Sequence, residues 1–384
     1  MAFDGITVAG IVHELNQTIL NGRINKIAQP ETDELLITLK TPGGQKRLCI
    51  SASASLPLIY LTDENKPSPM TAPNFCMLLR KYIGNGRIVA ITQPSLERII
   101  HFDIEHLDEL GDLCRKTMIV EIMGKHSNII FCNDKGMILD SIKHVSSQMS
   151  SVREVLPGRE YFIADTTHKL NPLEVSEDAF IQALCEKPMN LGKAIYNSFT
   201  GISPVVSEEI CAISGVDSDI PAKDMDADIL AHLYRQFTYF FENVKNGAFH
   251  PVIYYEGKLP KEFAAVPLTH LADYEAVSFE SMSQVIRNYY ASKDTITRIR
   301  QKSSDLRRVV QTALERNRKK YDLQLKQIKD TENRDKYKVY GELLHTYGYQ
   351  LSGGERSMEA LNYYTNEMIT IPLDPQKTAM ENAQ

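Results

Sequence analysis

Two ten-residue stretches, NGRINKIAQP (Asn21 to Pro30) and NGRIVAITQP (Asn85 to Pro94), recur 64 positions apart and constrain the fold of this chain more than any other feature. Each follows an apolar, helix-like run, IVHELNQTIL in the first case and NFCMLLRKYI in the second. Asn-Gly is a good signal for ending a helix. A turn and a strand pattern come next, ELLITLK after the first copy and RIIHFDI after the second. A further strand pair follows in both halves, KRLCIS with PLIYLT and TMIVEI with NIIFCN. The repeat therefore predicts a duplicated α+β unit. A sheet sandwich with pseudo-two-fold symmetry is the economical way to bury two such halves.

Aligned without gaps, Gln29-Pro30 matches Gln93-Pro94, so Asp33 and Glu34 stand where the second copy has Glu97 and Arg98. Neighbouring side chains on a strand point to opposite faces, which leaves Glu97 and Arg98 poorly placed to pair with each other once the strand has begun. The first copy has no arginine there. Whatever Arg98 does is not demanded by the shared strand geometry.

A chain of 384 residues implies two or three domains. Its 43% hydrophobic and 24% charged content fits a globular protein rather than a disordered one. No stretch approaches the roughly 20 apolar residues of a membrane span. The opening MAFDGITVAG has neither a basic nor an apolar leader region, so a cytoplasmic protein is expected. The six cysteines (Cys49, Cys76, Cys114, Cys132, Cys185 and Cys211) form no CxxC pair, and they read as buried reduced thiols. The histidines lack ligand spacing, so neither a structural metal nor a cofactor is expected. The net charge of −6 hides an asymmetry: from Lys293 to Lys338 there are 15 Lys or Arg against 7 Asp or Glu, a net of +8 that leaves −14 elsewhere. Such segregation suits a basic element facing a polyanion, though a solvated charged helix would show the same count.

Beyond the repeat, VLPGREYF (Val155 to Phe162) is a turn-rich exit and Asn171 to Phe240 reads as helical. Within that zone FTGISPVVSEEI combines a Gly turn with a Ser-Pro helix start, the sequence of a helix-hairpin-helix turn. Such turns hold phosphate through backbone N–H groups and the following helix N-terminus, which makes Gly201 and Ser203 candidates; a plain helix–helix turn reads the same way. PVIYYEGKLPKEFAAVPLTHL suggests a hairpin returning to the sheet domain. From Met282 to about Tyr349 a nearly Gly-free run carries Leu306, Val309, Val310, Leu314, Tyr321, Leu325 and Ile328 at helical spacing, as in a coiled-coil arm.

EIMGKHSNIIFCN places Lys125, His126, Ser127 and Asn128 after Gly124 on a loop between strands, a donor set that suits phosphate or a sugar edge; a decorated β-turn is the simpler reading. Arg80, Lys81, Arg87 and Arg153 add cations of the same kind. No GxSxG, P-loop, GxGxxG or HExxH motif is present, and the paired acids Asp63-Glu64 and Asp108-Glu109 sit in polar surface contexts.

Taken in order, MAFDG, the doubled GRI..I.QP, F.MLLRKYI, EIMGKHSNII, VLPGREY, GISP and RDKYKVYGELL resemble the NFACT family over essentially the whole chain. The resemblance implies an NFACT-N domain over 1–170, a helix-hairpin-helix domain over 171–245, a hairpin returning to NFACT-N over 246–280 and a coiled-coil arm over 281–384. It also implies a fragment that lacks the family's second arm and its NFACT-R domain. NFACT-N is similar in fold to the N-domain of formamidopyrimidine-DNA glycosylases. Those enzymes attack with a proline amine where this chain has Ala2, so lyase activity is not expected.

The family implies a ribosome quality control factor rather than an enzyme. Its partners would be the obstructed large ribosomal subunit with its rRNA and peptidyl-tRNA, a charged tRNA (alanyl-tRNA in bacteria) for C-terminal tailing, and a small RqcP-type protein; no membrane is involved. Older naming as fibronectin-binding proteins raises a surface adhesin as the alternative. The family's Asp-Arg motif for tRNA falls on Glu97-Arg98, where the acid is one methylene longer. With Lys125, His126, Ser127, Asn128, Arg80 and Arg153 these form the expected tRNA-binding set.

Overall fold

The computed structural model describes residues 3–164 and 168–384, and the side chains of all of these except 292–302, 305, 332 and 333. Ala2, on which the lyase comparison turns, lies outside the described residues.

Helix α1 (Gly5–Thr18) opens the chain and is followed by strands β1 (Arg23–Glu31), β2 (Glu34–Thr41), β3 (Gly44–Ser51) and β4 (Leu58–Thr62). Helix α2 (Asn74–Ile83) starts the second half, with β5 (Arg87–Thr92), β6 (Ile99–Leu107), β7 (Leu113–Glu121), β8 (Asn128–Cys132) and β9 (Ile138–Ser141). All nine strands join one sheet in the order β4-β3-β2-β1-β5-β6-β7-β8-β9. The duplication is visible at its centre, where Arg23 faces Arg87 across an antiparallel pair. Asn21 N donates to Ile88 O (2.8 Å) as Asn85 N donates to Ile24 O (3.0 Å), and Ile88 N donates to Gly22 O (3.1 Å) as Ile24 N donates to Gly86 O (2.8 Å). Each bond maps onto its mate by a shift of 64, so the pseudo-two-fold axis passes between the two arginines. Asn21 and Asn85 both adopt left-handed backbone, with φ of 63° and 65°, a conformation that asparagine tolerates and that ends each helix.

The two halves differ in the length of one turn, so they are not equivalent residue for residue without a gap. Ala52 N donates to Asp33 O, and in the second half Ile122 N donates to Arg98 O, each at 2.8 Å just past the end of the equivalent strand. Arg98 therefore corresponds to Asp33, and the second turn is one residue longer. Ser95 (φ 44°) and Leu96 (φ 56°) absorb that extra residue in left-handed backbone. As a result Glu97 and Arg98 precede β6 in the turn and are not its first residues.

The inner faces of both halves share one core with the helices, including Ile11, Leu15, Ile37, Phe102 and Phe131. Four cysteines (Cys49, Cys76, Cys132 and Cys211) are buried and free; Cys114 and Cys185, expected to be buried, are free and half-buried. Burial pushes the Cys49 thiol up to about 11, with the nearby Glu34 carboxylate adding to the rise, so it stays an inert thiol at neutral pH.

Helices α3 (Glu177–Cys185), α4 (Leu191–Ser198), α5 (Pro204–Ile213) and α6 (Ala227–Lys245) follow. Phe180, Phe199 and Phe237 knit them together, with ring centroids 4.7–5.3 Å apart. Strands β10 (Val252–Glu256), β11 (Leu259–Ala264) and β12 (Glu275–Ser278) form their own three-stranded sheet and do not extend the nine-stranded one. Ile253 and Phe263 on this small sheet still enter the main core.

Helix α7 (Met282–Tyr347) is 66 residues long. Its first turns belong to the unit spanning Met1–Thr297, where Met282, Val285 and Ile286 are buried in the main core. In the second unit, Arg298–Gln384, the end of α7 packs Leu343 and Leu344 against β13 (Ser357–Asn362) and β14 (Glu367–Pro372), and α8 (Ala379–Ala383) closes that small core. Between these ends the apolar stripe read from the sequence is exposed, from 48% at Leu325 to 67% at Leu306. No described helix is long and apolar enough to cross a membrane.

Candidate nucleic-acid interface

Three chain segments far apart in sequence converge in front of β6. The first is the N-terminus of α1, capped by Asp4, whose Oδ1 accepts from Thr7 N at 2.8 Å. The second is the N-terminus of α5, capped by Ser203, whose Oγ accepts from Val206 N at 3.3 Å and donates to Asp4 Oδ2 at 2.6 Å. The two helix caps thus share one hydrogen bond. Burial pushes the Asp4 carboxyl up, against the opposing pull of the Ser203 and Thr7 donors. The third segment is the Ser95–Arg98 turn.

Glycine is required where these segments touch. Gly5 N donates to Gly201 O at 2.9 Å. A Cβ on Gly5 would lie 2.1 Å from Leu96 O, and one on Gly201 (φ 75°) would lie 2.4 Å from the same oxygen. Gln93 fastens the arrangement, with Nε2 donating to Gly5 O (2.8 Å) and to Glu97 O (2.9 Å). Its counterpart Gln29 makes only the local version of this grip, to Thr32 O at 3.0 Å. The conserved shape of the repeat is therefore reused in the second half to bind the turn onto the helical layer.

The result is a cavity of about 320 Å³. Glu97, Arg98, Lys169 and the two helix N-termini give it a polar side, and Phe3, Ile99 and Ile163 an apolar one. Lys169 was not singled out from the sequence. Its Nζ donates to Tyr196 O (2.6 Å), and Lys187 Nζ donates to Asn197 O (2.8 Å), so both lysines cap the C-terminal carbonyls of α4. Burial pushes the Lys169 ammonium below its usual range, and the Lys187 and Arg98 charges push it further the same way. The Glu97 carboxylate acts in the opposite sense, and Arg98 and Lys169 line the recess together with the first residues of α1 and α5, a grouping that suits an anion.

The expected site residues divide sharply. Glu97, Arg98, Arg153, Gly201 and Ser203 all line this cavity. Ser203 and Gly201, read as phosphate donors, hold α1 to α5 through the bonds above. Lys125 and His126 are exposed on a short 3-10 turn, two and three residues beyond Met123, which itself lines the cavity. Ser127 and Asn128 face inward instead. Ser127 Oγ accepts from Met123 N (2.8 Å), while Asn128 donates to Lys143 O (2.8 Å) and accepts from Lys143 N (3.1 Å). Their polar atoms build the loop rather than present it. Arg80 lies on α2, where its Nε donates to Ile27 O at 2.8 Å, and it does not line the cavity. Lys81 is exposed and pairs with Glu109 at 3.3 Å, and Arg87 sits at the central strand pair.

Residues 4–384 match the family described as NFACT N-terminal and middle domains. A Bacillus subtilis (strain 168) protein named Rqc2 homolog RqcH is 36% identical over 388 residues, covering 100% of this chain and 66% of the relative's length. A human protein named ribosome quality control complex subunit NEMF is 22% identical over 363 residues, covering 89% of this chain and 32% of its own. Among solved structures, the fibrinogen binding protein from Staphylococcus aureus superposes with a TM-score of 0.64 at 27% identity, covering 76% of this chain and 99% of that one.

Proposed function

Because the chain belongs to the NFACT family, we propose that it acts in ribosome quality control and that the cavity beside Arg98 engages tRNA. The observation that carries this reading is the convergence of Arg98, Lys169 and the N-termini of α1 and α5 on one recess, a grouping that suits a phosphate-bearing ligand. In this reading Arg98 supplies the planar fork that suits phosphate or a base edge. Glu97, at the same turn, accepts from a base or a ribose hydroxyl, and Lys125 and His126 extend the contact along the exposed loop.

The wider role follows the family. The protein binds large ribosomal subunits obstructed by peptidyl-tRNA and recruits alanyl-tRNA for C-terminal tailing without mRNA, while the ribosome performs the peptide-bond chemistry. The basic stretch of α7 is the natural contact for rRNA, and its exposed apolar stripe is suited to pair with another helix as a coiled coil.

The test is tRNA recovery with purified protein. Arg98→Ala should lower tRNA affinity by about 1–3 kcal/mol, roughly 5- to 150-fold, and Arg98→Lys should restore only part of it. Sequencing of the retained RNA should return tRNA, with alanine tRNA enriched. Unchanged tRNA recovery by Arg98→Ala would sink the site assignment. The name of the Staphylococcus aureus neighbour raises fibrinogen binding as the competing reading, which gains ground if immobilised fibrinogen captures the protein and tRNA does not.

A further inference from the structure

Arg153 stands apart from the other cations at the cavity. Its Nη2 donates to both carboxylate oxygens of Glu121, the contact to Oε1 being 2.6 Å, and its Nη1 donates to Phe162 O at 2.7 Å. Tyr161 O–H donates to Glu121 Oε1 at 2.9 Å, and the guanidinium lies 5.4 Å from the Tyr161 ring centroid. Glu121 is 1% exposed and Arg153 14%. Drawing Arg153 away to a phosphate would strand a buried carboxylate, which is strongly unfavourable.

The pair instead closes a strap. Residues 153–164 run back across the outer face of the second half of the sheet, through Val145–Val155 and Met137–Glu160 bridges. Bonds from Ile138 N to Arg159 O (2.7 Å) and from Tyr161 N to Gly136 O (2.9 Å) hold its middle. Its end, Ile163 and Ala164, forms one wall of the cavity. Glu121 ends β7, and the next residue, Ile122, donates from its N–H to Arg98 O. One ion pair therefore ties the strap to the end of β7, and the next residue of that chain segment is hydrogen-bonded to the Arg98 turn.

We propose that Arg153 is a positioning residue: its Glu121–Tyr161 latch holds the strap wall against the Arg98 turn and so shapes the cavity, without Arg153 itself contacting RNA. This rests on the tRNA reading of the cavity.

The sign of one substitution separates the two roles. If Arg153 bound phosphate directly, Glu121→Gln would release it and leave tRNA binding unchanged or tighter. As a latch, Glu121→Gln and Arg153→Met should each weaken tRNA binding by about tenfold, and the double variant should be no worse than either single, because both break one coupled pair. Limited proteolysis, which needs no RNA, should show faster cleavage between Ser150 and Ala164 in both variants, and unchanged cleavage there in Arg98→Ala. Should the charged-pair variants fail to fold, Tyr161→Phe removes a single hydrogen bond and should show both effects at about two- to fivefold. Tighter or unchanged tRNA binding by Glu121→Gln alongside weaker binding by Arg153→Met overturns the proposal, and so does undiminished strap protection in Glu121→Gln. If the strap loosens but no form of the protein binds tRNA, the latch stands and the tRNA reading fails.

Discussion

Gly201 carries more of the site than its size suggests. Its left-handed backbone and the 2.4 Å clearance to Leu96 O leave no room for a side chain. Gly201→Ala should cost about 1–2 kcal/mol for the conformation and about 1–3 kcal/mol for overpacking, and it should push the Arg98 turn out of place. Urea denaturation should show the lost stability, and tRNA affinity should fall with it; a fully stable variant would mean that the three-way contact is loose. The sequence announced Gly201 as a turn residue but not its contact with Leu96, 105 positions away, because close approach is a tertiary fact. Asp4 gave no sign of belonging to the site, because its bond to Ser203 joins residues 199 positions apart. Lys169 had no local signal at all, since only the packing of α4 brings it beside Arg98. Ser127 and Asn128 misled for the opposite reason: short polar side chains after a glycine serve an internal turn as readily as a ligand.

At the scale of elements, α5 is held at its N-terminus and at its middle. Its N-terminus is tied to Asp4, and inside it Glu209, 2% exposed, accepts from Thr269 Oγ1 (2.8 Å), His270 Nδ1 (2.8 Å) and His270 N (3.1 Å). Burial alone would raise the Glu209 carboxyl, but the His270 and Thr269 donors outweigh it and hold it below the ordinary 4.5. A lowered folded value means stability that is present above 4.5 and is lost as pH falls through the folded value. Asp4, raised by burial, contributes in the opposite sense, because protonation relieves it. Urea midpoints measured from pH 6 to pH 3 should therefore fall less steeply in Glu209→Gln than in wild type, and equal slopes would mean that the Glu209 contacts add nothing. The strand and helix order of the repeat was readable because each half restates it. The extra residue in the second turn was not, since a one-residue insertion beside left-handed Ser95 and Leu96 leaves the flanking patterns intact. The helical character of α7 was equally plain, while the solvent exposure of its apolar stripe became visible only in the structure.

Across the whole molecule, duplication supplies the scaffold and divergence supplies the site. The central arginine pair and its mirrored backbone bonds show how nearly the two halves remain alike. The first half keeps a short turn at Asp33, whereas the second lengthens its turn, receives the N-termini of α1 and α5 and gains Arg98. The tRNA proposal rests on the recess that this divergence forms. β6 provides a ruler for testing it. Ile99 at its start lines the cavity, and Leu107 at its end lies about 26 Å away by strand rise, next to the exposed tip residue Leu110. A photo-crosslinking side chain placed at Met123, on the cavity wall, should label tRNA in binding reactions, and the same group at Leu110 should not. Labelling of tRNA from Leu110 but not from Met123 would contradict the account at its centre.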